Sequence, residues 1–350
     1  MSDELRWPEE RLRVEVVRDW ISAALPGALA VEGPIRLYGG KEWGVTARFH
    51  THTGTGVQAV IFKSCFLPRF RPGPLFELLS RCCPGRVPEL LAWREQEGRT
   101  DALFRPFVGR TVLETGKLEP LLEMARSLAQ IQAQVTAAPP AWRSGLPHLP
   151  LAAIPPLLDS MIADIQSTYA PFWEADQSAL IRRFEVPDDL IPQLRRFRPR
   201  LDEWVQELQA GGWPESLDHV DFLPHNAVVQ EGGAVLIYDW EQAVLTCPFF
   251  SLDILLAFAQ DYPLNFPDGL EIRPERETDG LRALRSAYLE ALPWGTPEAR
   301  ERALDLALCL SPIRYAYIEG VMAAELGQQE AWAEDMAFWS TRALRRWQRL

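Results

Sequence analysis

His219-Val220-Asp221-Phe222-Leu223-Pro224-His225-Asn226, followed after ten intervening residues by Ile237-Tyr238-Asp239-Trp240-Glu241, places oxygen-bearing side chains at both ends of a short β signal. Ala227 to Val229 and Val235 to Tyr238 flank Glu231-Gly232-Gly233, the composition of a β-hairpin and its turn. Loops at the base of a hairpin stand on rigid support, so the pattern predicts that Asp221, Asn226 and Asp239 converge although the outer two are 18 residues apart. Two carboxylates and an amide oxygen are hard donors of the kind Mg²⁺ takes while keeping room for water and phosphate. Taken singly, Asp221 and Asn226 read equally well as turn-closing residues and Asp239 as a local cap; the set is what points to a cation.

Upstream, Val57-Gln58-Ala59-Val60-Ile61-Phe62-Lys63 alternates as a strand, with Val57, Ala59, Ile61 and Lys63 on one face. Lysine is scarce, three residues against 33 arginines, and an ammonium emerging from an apolar face needs an anion. Glu77, fourteen residues on in a short helical stretch, is the expected partner, and the two together would hold a phosphate. Tyr38-Gly39-Gly40-Lys41-Glu42-Trp43-Gly44 is expected to link the first two strands, its glycines letting backbone N–H groups approach phosphate oxygens. It is not a Walker A loop, because no Gly-Lys-Ser/Thr follows.

The 350 residues include 36 basic and 48 acidic side chains, for a net charge of -12, and 47% of them are hydrophobic. That balance argues against nucleic-acid binding, which phosphate neutralisation drives. It is also uneven: residues 1–110 hold 16 basic and 13 acidic side chains, and the remainder 20 and 35, so the second part would attract cations. No apolar run reaches the roughly 20 residues of a membrane span; Pro248 and Asp253 interrupt the best one, Ala243 to Phe258. Met1 to Arg6 lacks a cationic lead into an apolar segment, which makes the cytoplasm the expected location. The five cysteines lack CxxC spacing and read as reduced core thiols.

Periodicity divides the chain. A helix is expected from Pro8 to Leu25, ended by Pro26-Gly27. Short β signals follow at Ile35 to Tyr38, Val45 to His50, Val57 to Lys63, Val87 to Trp93 and Ala102 to Phe107, with one helical stretch from Leu75 to Arg81. Beyond Gly109 the pattern is helical, broken by a proline-rich passage from Pro139 to Pro156 and by the hairpin. The expected fold is therefore α+β and two-lobed: an antiparallel β-rich lobe over residues 1–108, with an extra N-terminal helix, and a large helical lobe over 109–350.

This combination resembles the kinase-like fold in the branch of the aminoglycoside phosphotransferases and choline kinases. His219-x-Asp221-x-x-x-x-Asn226 followed by Asp239-Trp240-Glu241 is similar to that family's catalytic loop and metal-binding segment, and Pro248-Phe249-Phe250-Ser251-Leu252-Asp253 to its continuation. The resemblance implies an ATP- and Mg²⁺-dependent phosphotransferase acting on a hydroxyl of a small polar molecule. Asp221 would orient the acceptor, Asn226 and Asp239 would hold Mg²⁺, and Lys63, fixed by Glu77, would contact the phosphates. Gly39 and Gly40 fall where the ATP-clamping turn should be, and Phe104-Arg105-Pro106-Phe107 where the interlobe hinge should be. Ile61 would cover the adenine, with the Arg105 carbonyl and the Phe107 N–H at its edge, since Pro106 has no N–H to donate. The acidic second part favours a cationic acceptor such as an amino sugar, aminoglycoside or amino alcohol. Val220 stands where the family commonly has glycine and Leu223 where it often has histidine, implying a narrower, less polar acceptor side. The alternative is a non-catalytic nucleotide-binding protein. The sequence leaves the acceptor's identity, ATP or GTP preference and oligomeric state open.

Overall fold

The computed structural model describes residues 7–41, 43–96, 98–166, 186–260, 278–327 and 329–348. It divides into two units, one formed by Met1–Thr115, Ala137–Pro147 and His225–Ala243, the other by Gly116–Thr136, His148–Pro224 and Val244–Leu350.

In the first unit, helix α1 (Val14–Ala24) precedes strands β1 (Ala28–Lys41), β2 (Gly44–Thr53) and β3 (Gly56–Cys65), helix α2 (Gly73–Cys82), and strands β4 (Leu90–Gln96) and β5 (Arg99–Phe104). All neighbours are antiparallel, in the order β1-β2-β3-β5-β4. Alternation decides what each face does. Val45, Ala47 and Phe49 of β2, Val60 and Phe62 of β3 and Leu103 of β5 pack against Leu12, Val17 and Ile21. Full burial of Val17 and Ile21 contributes about 1.5–3 kcal/mol each. The other face carries Lys63, paired across the ladder with Thr46 and Ala102. There α2 is anchored by Phe76 against Phe104, ring centroids 5.3 Å apart, and by Gly73, whose missing Cβ makes room for the Trp93 ring.

The expected hairpin is present as β8 (Ala227–Val229) and β9 (Val235–Ile237), joined by a short strand β6 (Arg110–Thr111) that lines up against β8. Two expectations change. Gly39 and Gly40 do not form a turn; they lie within β1, opposite Thr46 and Val45, just after an irregularity in register at Leu37/Gly39. A residue without Cβ suits such a bulge as well as it suits a turn. The N-terminal helix also begins later than Pro8, at Val14.

The second unit is helical: α4 (Leu118–Ala137), which follows the four-residue α3 (Val112–Thr115) of the first unit, then α5 (Ile154–Asp164), α6 (Leu190–Ala210), α7 (Leu252–Gln260), α8 (Asp279–Ala291), α9 (Pro297–Leu326) and α10 (Gln329–Trp347). The proline-rich passage contributes two 3-10 turns, Pro140–Gly145 in the first unit and Leu151–Ala153 here, and the start of α5, where Pro155 and Pro156 occupy positions that need no N–H donor. A two-stranded pair, β7 (Ser216–Asp218) with β10 (Val244–Thr246), is new to the structure; three residues each are too few to show alternation. Gln132 of α4 ties this pair to the core, donating to the carbonyls of Leu217 and Pro248 at 2.7 and 2.8 Å.

Charge is buried here too. Asp253, with no exposed surface, accepts from Arg342 at 3.1 Å and from Arg346. Burial alone would raise its pKa, but the two guanidiniums outweigh it and hold the carboxyl below the ordinary range. Its contribution is therefore present above about pH 4 and lost as pH falls through the depressed value. Asp253→Asn leaves two arginines without their anion and should cost about 3–5 kcal/mol in urea unfolding at neutral pH; an unchanged midpoint would contradict the assignment. Among the described residues no helix is long and apolar enough to cross a membrane.

Candidate active site

Lys63 sits near the end of β3, and its Nζ lies 2.5 Å from Asp239 Oδ1 and 2.7 Å from Glu241 Oε2. Burial disfavours the ammonium, yet the two carboxylates more than offset this and hold it above the ordinary lysine range. The Glu241 carboxyl is pushed up by burial and by the neighbouring Asp239 charge. Of the two acids Asp239 is the more open, its side chain 38% exposed against 12% for Glu241. Asp239 has a φ of 66°, a left-handed backbone, and Glu241 follows within a 3-10 turn, Trp240–Gln242. The reversal is what lets two residues so close in sequence meet one ammonium.

Glu77 is not the partner of Lys63. It accepts from Trp93 Nε1 at 3.2 Å, because the strand order places β4, which carries Trp93, at the sheet edge, with β5 between it and β3. Glu241 was legible as part of the quoted segment, but nothing in its spacing distinguished it from an ordinary turn residue.

The hairpin register sets the remaining groups. Ala227 faces Ile237, and the Tyr238 N–H donates to the Asn226 carbonyl at 2.9 Å, so Asn226 stands across from the residue before Asp239. Asn226 is 2% exposed. The Phe107 ring lies 5.2 Å from that of Tyr238, and burial pushes the Tyr238 hydroxyl up to about 12. Ile61 is half-buried on the Lys63 face. Arg105 donates its N–H to the Glu89 carbonyl at 2.9 Å, and its guanidinium pairs with the Glu89 carboxylate in solvent.

These residues fit a Mg²⁺ ion by the chemistry of their donors: Asn226 supplies an amide oxygen, Asp239 a carboxylate reachable from solvent, and Mg²⁺ asks for only one or two protein ligands alongside water and phosphate. Among the described residues no group of three or more His, Cys, Asp or Glu side chains is placed to hold a metal.

Asp221 belongs to the helical unit. It follows Val220, whose φ of 69° is left-handed, and its N–H donates to the His219 carbonyl at 2.9 Å, an i to i+2 closure around Val220. For a β-branched residue such a conformation costs about 1–3 kcal/mol and persists only when its surroundings impose it. The glycine that the resemblance places at this position would meet no such cost. His219 is fully buried and donates its backbone N–H to Ser251 Oγ at 3.0 Å.

The sequence matches no family model, and no curated protein is similar to it at the level of sequence. Similarity appears in three dimensions. The choline kinase of Cryptosporidium parvum superimposes over 96% of this chain and 96% of its own at a TM-score of 0.58 with 12% identity. The ethanolamine kinase of Plasmodium vivax does so over 89% and 82% at 0.53 with 10% identity. The gentamicin complex of APH(2")-IIa does so over 95% and 98% at 0.52 with 11% identity. The chain has a protein-kinase-like fold. Within it, an antiparallel sheet followed by a helical region is the shared architecture, and at these identities the side chains must speak for themselves.

Lys63→Met should leave Asp239 and Glu241 without their cation and cost about 3 kcal/mol, whereas Glu77→Gln should shift stability by about 0.5 kcal/mol or less. Urea unfolding of both variants checks this, and equal losses would contradict the pairing.

Proposed function

We propose that this protein transfers the terminal phosphoryl group of ATP to a hydroxyl of a small polar molecule in the cytoplasm. What carries the reading is a lysine on the sheet face opposite α1, engaged by the Asp239 of an Asp221-x4-Asn226-x12-Asp239 pattern, in a kinase-like fold. Solved kinases of choline and ethanolamine share that fold, which supports the class of reaction.

In this reading Lys63 binds phosphate oxygens, exchanging one of its carboxylates for the nucleotide. Ile61 covers the adenine, whose edge meets the Arg105 carbonyl and the Phe107 N–H. The backbone of Gly39 and Gly40 lies toward the phosphates. Asn226 and Asp239 hold Mg²⁺, which supplies charge neutralisation on the phosphate oxygens when bound. Asp221 orients the acceptor hydroxyl and receives its proton at a carboxylate oxygen. A carboxylate is a weak base for an alcohol. In a loose phosphoryl-transfer transition state, however, position counts for more than basicity. The acidic balance of residues 111–350 favours a cationic acceptor.

Asp221→Asn should lower ATP turnover by about 10²-fold or more while ATP affinity stays near that of the parent; unchanged turnover would remove Asp221 from this role. Asp239→Ala should abolish the Mg²⁺-dependent part of ATP binding in calorimetry, and a variant that binds Mg-ATP as the parent does would contradict the metal assignment.

A further inference from the structure

We infer that Asp218, Arg314 and Tyr315 act together as a positioning device for Asp221, an inference that rests on the phosphotransferase reading above. Both peptide groups of Val220 are gripped by side chains of the helical unit. Its N–H donates to Asp218 Oδ1 at 3.0 Å, and its carbonyl accepts from the Tyr315 hydroxyl at 3.1 Å. Asp218 is in turn held by Ser251 Oγ, which donates to Oδ1 at 2.9 Å, and by Arg314 Nε, 3.2 Å from Oδ2. Arg314 also donates to the Phe250 carbonyl at 3.0 Å, and its guanidinium lies over the Tyr315 ring at 3.5 Å. On its other side Tyr315 is stacked on Trp339, ring centroids 4.2 Å apart and planes 10° from parallel.

Asp218 and Arg314 have no exposed surface and Tyr315 has 2%, so water does not compete with any of these contacts. Stability alone does not account for them. A buried ion pair is no better for stability than well-packed apolar side chains of the same volume, and a glycine at position 220 would take up the left-handed turn without any clamp. What the network's two bonds to Val220 hold is a valine at φ 69°, a conformation it leaves if released. Because Asp221 is the next residue, rotation of Val220 out of that region would swing the Asp221 carboxylate away, and displacement by about 1 Å can cost about 10²-fold in rate. Arg314 and Tyr315 act through Val220 and are positioning residues.

The test is a double-mutant cycle on the pair in contact. Tyr315→Phe deletes one O–H and keeps the stacked ring; combined with Val220→Gly it removes the need for that O–H. Turnover of ATP, ATP affinity and Tm are read for each variant, with Asp218→Asn as a second way of loosening the clamp. We expect Tyr315→Phe and Asp218→Asn each to lower kcat by about tenfold or more with ATP affinity within about twofold of the parent. In the Val220→Gly background the same changes should lower kcat by about threefold or less. Variants that lose Tm but keep the kcat of the parent, or kcat losses that persist undiminished with glycine at 220, would overturn the inference. A parent that shows coupling in Tm between positions 220 and 315 yet turns over no ATP would overturn the phosphotransferase reading and, with it, the catalytic purpose of the clamp.

Discussion

An ammonium that emerges from an apolar strand face has to be met by negative charge, and the neighbourhood of Lys63 is organised around that demand. Two carboxylates answer it, Asp239 and Glu241, both delivered by one turn that begins with a left-handed residue. With two carboxyl groups set against one ammonium, this cluster holds more acid than base. Phosphate oxygens can compete for the ammonium; a neutral ligand cannot.

The helical unit meets a related demand with buried charge. Asp218 and Asp253 are both fully enclosed, and both are matched by arginines from the last two helices, Arg314 in one case and Arg342 with Arg346 in the other. These pairs tie the start of the Asp221 loop and the helix α7 to the C-terminal helices. The chain thus uses arginine for its buried ion pairs in the helical unit, in keeping with a planar guanidinium's tolerance of burial and bidentate pairing.

Much of this was legible in the residues. Alternation in Val45 to His50, and the shared face of Val57, Ala59, Ile61 and Lys63, were enough to predict the two strands, because a period of two sets which residues share a face. The hairpin was legible from Gly232-Gly233. What escaped was long-range pairing. Glu77 looked like the partner of Lys63 from helix position alone, but the order β3-β5-β4 interposes a strand, and no local pattern encodes strand order. Gly39-Gly40 carried the composition of a turn but lies within β1, paired with Thr46 and Val45 just past an irregularity in register. Arg314 did leave a trace, a lone charge in the apolar run Leu306 to Ile318, but the sequence could not say that Asp218, nearly a hundred residues earlier, would meet it.

³¹P NMR of the protein with Mg-ATP and pooled amino sugars, aminoglycosides and amino alcohols tests phosphoryl transfer from ATP most directly. The expected result is loss of the γ-phosphate resonance with the appearance of ADP and of a new phosphomonoester, dependent on both Mg²⁺ and an acceptor. A spectrum in which ATP is unaltered, from a protein that calorimetry also shows not to bind Mg-ATP, would contradict it.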